Sequence, residues 1–151
     1  MSEEFIRRPG VGRSFTLGGE QVVIKVGADE TGGAYSLMHW QVPAAPSPAP
    51  PMHAHQLYEE TFLVLDGDLE FTLEDESQVV ATGDFIRIPP GTRHSYVNRS
   101  DRPAELLVTF VPGGIEEHFF KYRDQSAAEF DFVGFLTEAR DNHGTTYELG
   151  G

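Results

Sequence analysis

Cysteine is absent from this chain, and that one absence removes disulfides, thiolate metal ligands and cysteine nucleophiles together. Any metal must therefore be held by nitrogen and oxygen. Basic residues are scarce as well: 11 lysines and arginines stand against 24 aspartates and glutamates, for a formal charge of −13. No local basic patch offsets this, so a phosphate backbone is repelled and nucleic acid is not an expected partner. The acidity reads as solubility rather than as a preference for a cationic substrate. Apolar runs are short, and none approaches a membrane span. The opening MSEEFIRRPG offers nothing that would serve as a signal peptide, so no membrane is expected and the cytoplasm is the expected compartment.

What is present points to one domain over 1–151, long enough to bury a real core. Its 16 glycines and 10 prolines punctuate short apolar runs, the pattern of a small all-β barrel or sandwich. Strands are expected at about Gln21–Val26, Tyr35–Gln41, Glu60–Leu65, Leu69–Leu73, Gln78–Ala81, Asp84–Ile88, His94–Asn98 and Ala104–Val111. Asp66-Gly67-Asp68 is suited to a tight hairpin, and Glu74-Asp75-Glu76-Ser77 is too polar and charged to stay in a sheet. Pro89-Pro90-Gly91 ends a strand because two successive residues lack an amide donor.

The run VPAAPSPAPP, Val42 to Pro51, looks like a linker, but neither side alone has strands enough to close a core. It reads as an extended, polyproline-like loop at the barrel rim, either an entrance wall or a passive surface loop. The barrel core is expected over about 17–112 and a helical segment over about 113–142. There Ile115, Phe119 and Tyr122 follow helical spacing, and a second stretch from about Ser126 to Arg140 carries Phe130, Val133, Phe135 and Leu136. Gly134 sits awkwardly in that helix, and Asp141-Asn142-His143-Gly144 reads as its stop. These aromatics are expected to pack outside the barrel with no chemical role.

One constellation carries chemistry. His53 and His55 lie two apart, so on a strand both imidazoles share a face. Glu59 and Glu60 are the nearest carboxylates, on opposite faces, and His94 follows the proline–glycine turn. Three imidazoles and a carboxylate suit a first-row divalent ion and leave up to two octahedral positions open. Iron, manganese, nickel, cobalt, zinc and copper all satisfy such a donor set.

These residues also carry a resemblance. His53-Ala54-His55-Gln56-Leu57-Tyr58-Glu59-Glu60, running on to Gly67, resembles the first cupin motif, H-x-H-x(3,4)-E-x(6)-G. Gly83 through Pro89, Gly91 and His94 to Asn98 resembles the second, G-x(5)-P-x-G-x(2)-H-x(3)-N, with every fixed position of both filled. The resemblance implies a double-stranded β-helix, a jelly-roll barrel with the metal inside, held by His53, His55, Glu60 and His94. It selects Glu60 over Glu59, which is left to solvent or to the ligands' surroundings. Gly67, Gly83, Pro89, Gly91 and Asn98 fall on the motifs' turn and structural positions.

From about Leu17 to Leu149 the chain is similar to single-domain bacterial cupins described as quercetin dioxygenase-like. Gly32–Leu37, Phe110–Ile115 with Phe119-Phe120, and the ending near His143-Gly144 carry this similarity. It implies oxygenolytic cleavage of a flavonol or similar enolised ring. The donor set itself supports two mechanisms, one in which the metal holds the enol for dioxygen and Glu60 moves partly off it to take the substrate's proton, and one in which the ion is only a Lewis acid. The alternatives are a non-redox cyclase or isomerase of secondary metabolism and a non-catalytic small-molecule-binding barrel. Around the metal, His39 reads as a bystander and Arg87 as an outward surface or dimer-contact residue, while His118 and His143 read as solvated. Tyr58, Phe62, Tyr96 and Phe110 suit either a pocket wall or plain core. A homodimer is expected, because small barrels leave sheet edges to cover, and the stretch Phe5–Val26 is a candidate to cross to the partner.

Overall fold

The computed structural model describes residues 5–149. In chain order the elements are β1 (Arg13–Leu17), β2 (Glu20–Val26), α1 (Ala28–Thr31), β3 (Ser36–Val42), β4 (His53–His55), β5 (Glu59–Asp66), β6 (Asp68–Leu73), β7 (Glu76–Ala81), β8 (Phe85–Ile88), β9 (His94–Val97), β10 (Ala104–Val111), α2 (Ile115–Lys121), α3 (Phe132–His143) and β11 (Thr145–Tyr147). Alternation sets the strands. In β3, Ser36, Met38, Trp40 and Val42 are buried, while Leu37, His39 and Gln41 lie on the half-exposed face. β10 repeats the pattern with Ala104, Leu106, Val108 and Phe110 inward. A period of two with one face covered is what an antiparallel sandwich requires.

The strands form two antiparallel sheets, ordered β1-β2-β3-β10-β5-β8 and β11-β4-β9-β6-β7. Their inner faces meet in one apolar cluster, with Val22, Met38, Phe62 and Val108 from the first sheet against Leu69, Phe71 and Tyr96 from the second. Burying each such side chain contributes roughly 1.5–3 kcal/mol, which lets the sandwich tolerate a few polar groups inside. This is the all-β jelly roll that the motifs imply. Beyond the sheets, α3 packs on α2 and on β11.

Several local expectations change. Asp66-Gly67-Asp68 does not turn a hairpin: β5 pairs with β8 and β10, β6 pairs with β7 and β9, and the chain crosses between sheets at Gly67. Gly67 has φ 88°, and a Cβ there would meet the Ala104 Cα and the Pro103 carbonyl oxygen at 2.9 Å, so only glycine fits the crossing. Glu76 and Ser77 belong to β7, because the turn needs only Glu74 and Asp75 and β7 is a largely exposed edge strand. β1 and β11 are additional strands, β1 pairing with β2 at one edge of the first sheet and β11 with β4 at one edge of the second. The second helix begins at Phe132 rather than Ser126. Asp131 caps it by accepting a 3.0 Å hydrogen bond from the Gly134 amide, and a Cβ on Gly134 would strike that carboxylate at 2.2 Å. Gly134 thus belongs to the helix start, and α3 ends at Gly144 in the left-handed region.

Candidate metal centre

β4 has three residues, all buried, and its pairing builds the site. Antiparallel register places His53 opposite His94 on β9 and His55 opposite Thr145 on β11. Glu60 enters from the other sheet, on β5 between Phe110 and Ile88. One ligand atom from each of His53, His55, Glu60 and His94 lies within 4.8 Å of all the others, and all four residues are buried. The expected set is therefore brought together. Glu59, on the opposite face, pairs with Arg87 at 2.6 Å, so both point away from it.

The hydrogen bonds behind the rings fix their tautomers. His53 Nδ1 donates to the Pro51 carbonyl at 2.8 Å, and His94 Nδ1 to the Thr92 carbonyl at 2.9 Å. The Thr145 hydroxyl donates to the His143 carbonyl at 3.3 Å and so accepts from His55 Nδ1 at 2.7 Å. With each Nδ1 carrying a proton, the neutral rings turn three bare Nε2 atoms toward the centre. Glu60 Oε1 adds a fourth acceptor, 2.9 Å from His94 Nε2 and 3.3 Å from His55 Nε2. Acceptors this close require a cation between them, either a proton or a metal ion.

The electrostatics agree. Burial pushes the Glu60 carboxyl upward, but with a proton in place of the metal on His55 and His94 their hydrogen bonds and charges prevail and hold it at about 2. Burial, reinforced by the charges of His94 and His55, pushes His53 down to about 3. Burial opposes protonation of His94, yet its bond to Glu60 and that carboxylate's charge raise it overall. An anionic carboxylate and a neutral imidazole are the states that metal ligation needs near neutral pH, and the nitrogen–oxygen set fits a first-row divalent ion. The turn after β8 supports the cluster directly, since the Gly91 amide donates to the His55 carbonyl at 2.8 Å.

Thr145→Val tests the supporting shell. The near-isosteric change leaves β11 in place but removes the partner that orients His55. Metal affinity is expected to fall roughly 10- to 100-fold, read by competition with a chromophoric chelator.

His53, His55 and Glu60 face a cavity of about 630 Å³. Trp40, Phe62, Tyr96 and Phe110 wall it from the sheets, and Pro48 to Pro51 from the proline-rich loop, which is therefore an entrance wall. Phe119 from α2, Phe130 from the loop before α3, and Phe132, Phe135 and Leu136 from α3 complete it. This corrects the expectation that the C-terminal aromatics have no part in the site. β11 pairs with β4, and α3 packs on β11, so the helix face is carried over the ligands. No lysine or arginine lines the cavity among the described residues.

His39 lies on the outward face of β3, 3.8 Å from Glu105 and outside the cavity, as a bystander would. His118 and His143 are not solvated as expected. His118 is buried with its ring 4.4 Å from that of Phe135, and burial, then the charge of His143, lowers it to about 4. His143 Nδ1 lies 2.9 Å from the Tyr58 hydroxyl. Three further site residues escaped the sequence reading: Thr145, Tyr147, which stacks on His53 at 4.9 Å, and Glu20. Glu20 was legible, since it falls in period two with Val22 and Ile24 on the buried face of β2.

Glu20 is buried, and its Oε2 accepts hydrogen bonds from the Tyr96 hydroxyl at 2.6 Å and from the Trp40 indole N–H. Burial raises its pKa to about 7, although both bonds act in the opposite direction. A folded-state pKa above the unfolded value of 4.5 means that stability present below pH 4.5 is lost as pH rises through about 7. Glu20→Gln is therefore expected to be nearly neutral at pH 4 and to stabilise the protein by about 3 kcal/mol at pH 9. Denaturant unfolding at the two pH values measures this, and equal effects would contradict it.

The cupin domain family matches residues 40–110. Quercetin 2,3-dioxygenase of Bacillus subtilis is 31% identical over 116 residues, which cover 77% of this chain and 33% of that protein. Quercetin 2,3-dioxygenase of Aspergillus japonicus is 23% identical over 146 residues, covering 93% of this chain and 41% of the fungal protein. The chain thus spans 33% and 41% of the length of these two relatives. Among solved structures, KdgF from a Halomonas species superposes with a TM-score of 0.64 at 17% identity, over 74% of this chain and 97% of the other.

Proposed function

This chain carries a cupin domain and resembles quercetin 2,3-dioxygenases, and from that premise we propose that it is a metal-dependent dioxygenase acting on a small phenolic or enolic, flavonol-like compound. The observation that carries the reading is the arrangement of His53, His55, Glu60 and His94 beside a cavity walled by aromatic rings and free of lysine and arginine among the described residues. Such walls suit a flat ring system by stacking and apolar burial. They leave a phosphate or polycarboxylate without a counter-ion other than the metal.

In this reading His53, His55, Glu60 and His94 hold one divalent transition ion, which supplies Lewis acidity toward an enolate oxygen and a route to dioxygen. Both atoms of dioxygen enter the products, so no external reductant is needed. The chain's own residues do the rest. Phe62, Phe110 and Phe119 orient the ring and exclude water. Glu60, whose Oε1 already sits among the ligand nitrogens, accepts the enolic proton as the substrate ionises.

Oxygen consumption by the metal-loaded protein with a panel of flavonols tests this, with anaerobic incubation as control. Uptake with loss of the flavonol chromophore is the expected result, and no uptake with any enolisable substrate overturns the reading. Turnover supported equally by redox-inert zinc would move the chain to the non-redox cyclase or isomerase class. The reading includes a homodimer, supported by exposed Val79 and Phe85 on the edge strands β7 and β8, and light scattering reads its mass.

A further inference from the structure

We propose that Glu20 is the polar anchor of this cavity, recognising a neutral oxygen function, a hydroxyl or a carbonyl, on the end of an aromatic substrate remote from the metal ligands. The assignment rests on the phenolic-substrate reading above and narrows it.

Four observations carry it. Glu20 lines the cavity although it belongs to β2, a strand that supplies none of the ligands. Both of its hydrogen bonds, from Trp40 and Tyr96, fall on Oε2, which leaves Oε1 without a partner among the described residues. Glu20 is only 5% exposed, yet its unpartnered Oε1 is not fully buried, so the spare acceptor keeps its small exposure on the cavity that the residue lines. A carboxyl set among apolar walls is costly unless something pairs with it. Finally, Tyr96 lies two residues beyond His94 on the inward face of β9, so the phenol that holds Glu20 stands about 7 Å along the strand from the ligand cluster. That separation suits a molecule whose enolic end meets the metal while a ring substituent reaches the carboxyl.

The chemistry constrains the substituent. An ionised carboxyl accepts from a hydroxyl, and a neutral one also donates to a carbonyl. A carboxylate or phosphate brought to the same place finds no cation, because the described lining residues include no lysine or arginine. The substrate class is therefore an uncharged, polyhydroxylated aromatic enol, not a sugar phosphate or a simple acid.

Trp40 is the only tryptophan of the chain, and its indole bonds to Glu20, so its fluorescence reports occupancy of this part of the cavity. The probes are kaempferol and the parent flavonol, which share the enolic unit and differ in remote ring hydroxyls. Titrated without oxygen into zinc-loaded wild-type protein, kaempferol is expected to bind at least about tenfold more tightly. In Glu20→Leu the ratio is expected to fall at least about fivefold, through weaker kaempferol binding, while Glu20→Gln, which keeps a donor and an acceptor, retains the preference. A wild-type ratio below about threefold overturns the assignment without any variant, and so does a smaller fall in Glu20→Leu. Tight binding of both probes with no Glu20 dependence sinks only this inference, whereas no binding of either removes the phenolic reading with it.

Discussion

Replacing His94 with alanine is expected to leave a folded protein that no longer retains a divalent ion. After dialysis, metal content falls from about one ion per chain to under about a tenth, read by elemental analysis. The physical reason is the position of the ring. His94 is fully buried, its Nδ1 is tied to Thr92, and its Nε2 is the ligand nitrogen nearest to Glu60, at 2.9 Å. Without it, two imidazoles on one short strand face a carboxylate from the opposite sheet across a gap that water fills. The same variant should lose metal-dependent stabilisation. At about a thousandfold excess over Kd an ion adds about 4 kcal/mol to the wild-type protein, or roughly 10 °C in melting temperature for a domain of this size. His94→Ala should show almost none of that shift. Unchanged metal content, or an undiminished shift, would remove the metal centre and the enzymatic reading with it.

The ligands could be read from the sequence because their geometry is local to strands. Period two fixes His53 and His55 on one face, and a proline–glycine turn fixes where the next strand starts, so spacing alone carries most of the information. The barrel was legible for the same reason, with expected strands matching β2, β3, β5, β6, β8, β9 and β10 closely. What failed was whatever depends on partners distant in sequence. Gly67 looks like a hairpin residue by composition, and only the approach of Pro103 and Ala104 shows why the chain crosses sheets there. Thr145 is an ordinary threonine until β11 pairs with β4, 90 positions from the histidine it orients. The aromatics of α3 read as packing because an apolar helix face does not reveal whether it meets a core or a cavity. Glu20 differs, because the apolar run that marks β2 starts only after it and a carboxylate at a strand's first position carries no apolar signal, although it keeps period two with Val22 and Ile24.

Glu60→Gln separates proton transfer from metal retention. The amide keeps the shape of the side chain and one weak ligand oxygen, but loses the carboxylate that stands unprotonated among His55 and His94 at neutral pH. With metal supplied in excess, oxygen uptake on an enolisable substrate is expected to fall by roughly 10²- to 10⁴-fold in kcat, the usual worth of a positioned base. Adding the substrate already ionised, at raised pH, should recover part of the loss, because the missing step is removal of the enolic proton. Stability gives a second readout that needs no turnover. In the metal-free protein the Glu60 carboxyl is held at about 2 against an ordinary value of 4.5, a depressed pKa whose stabilisation is present above pH 4.5 and lost as pH falls through about 2. Glu60→Gln has no such group to protonate, so its unfolding free energy should change less than that of the wild type between pH 4.5 and pH 2. A variant with wild-type turnover would confine Glu60 to holding the ion. A variant with an unaltered acid limb would mean that the carboxylate is not paired with His55 and His94 as the geometry requires.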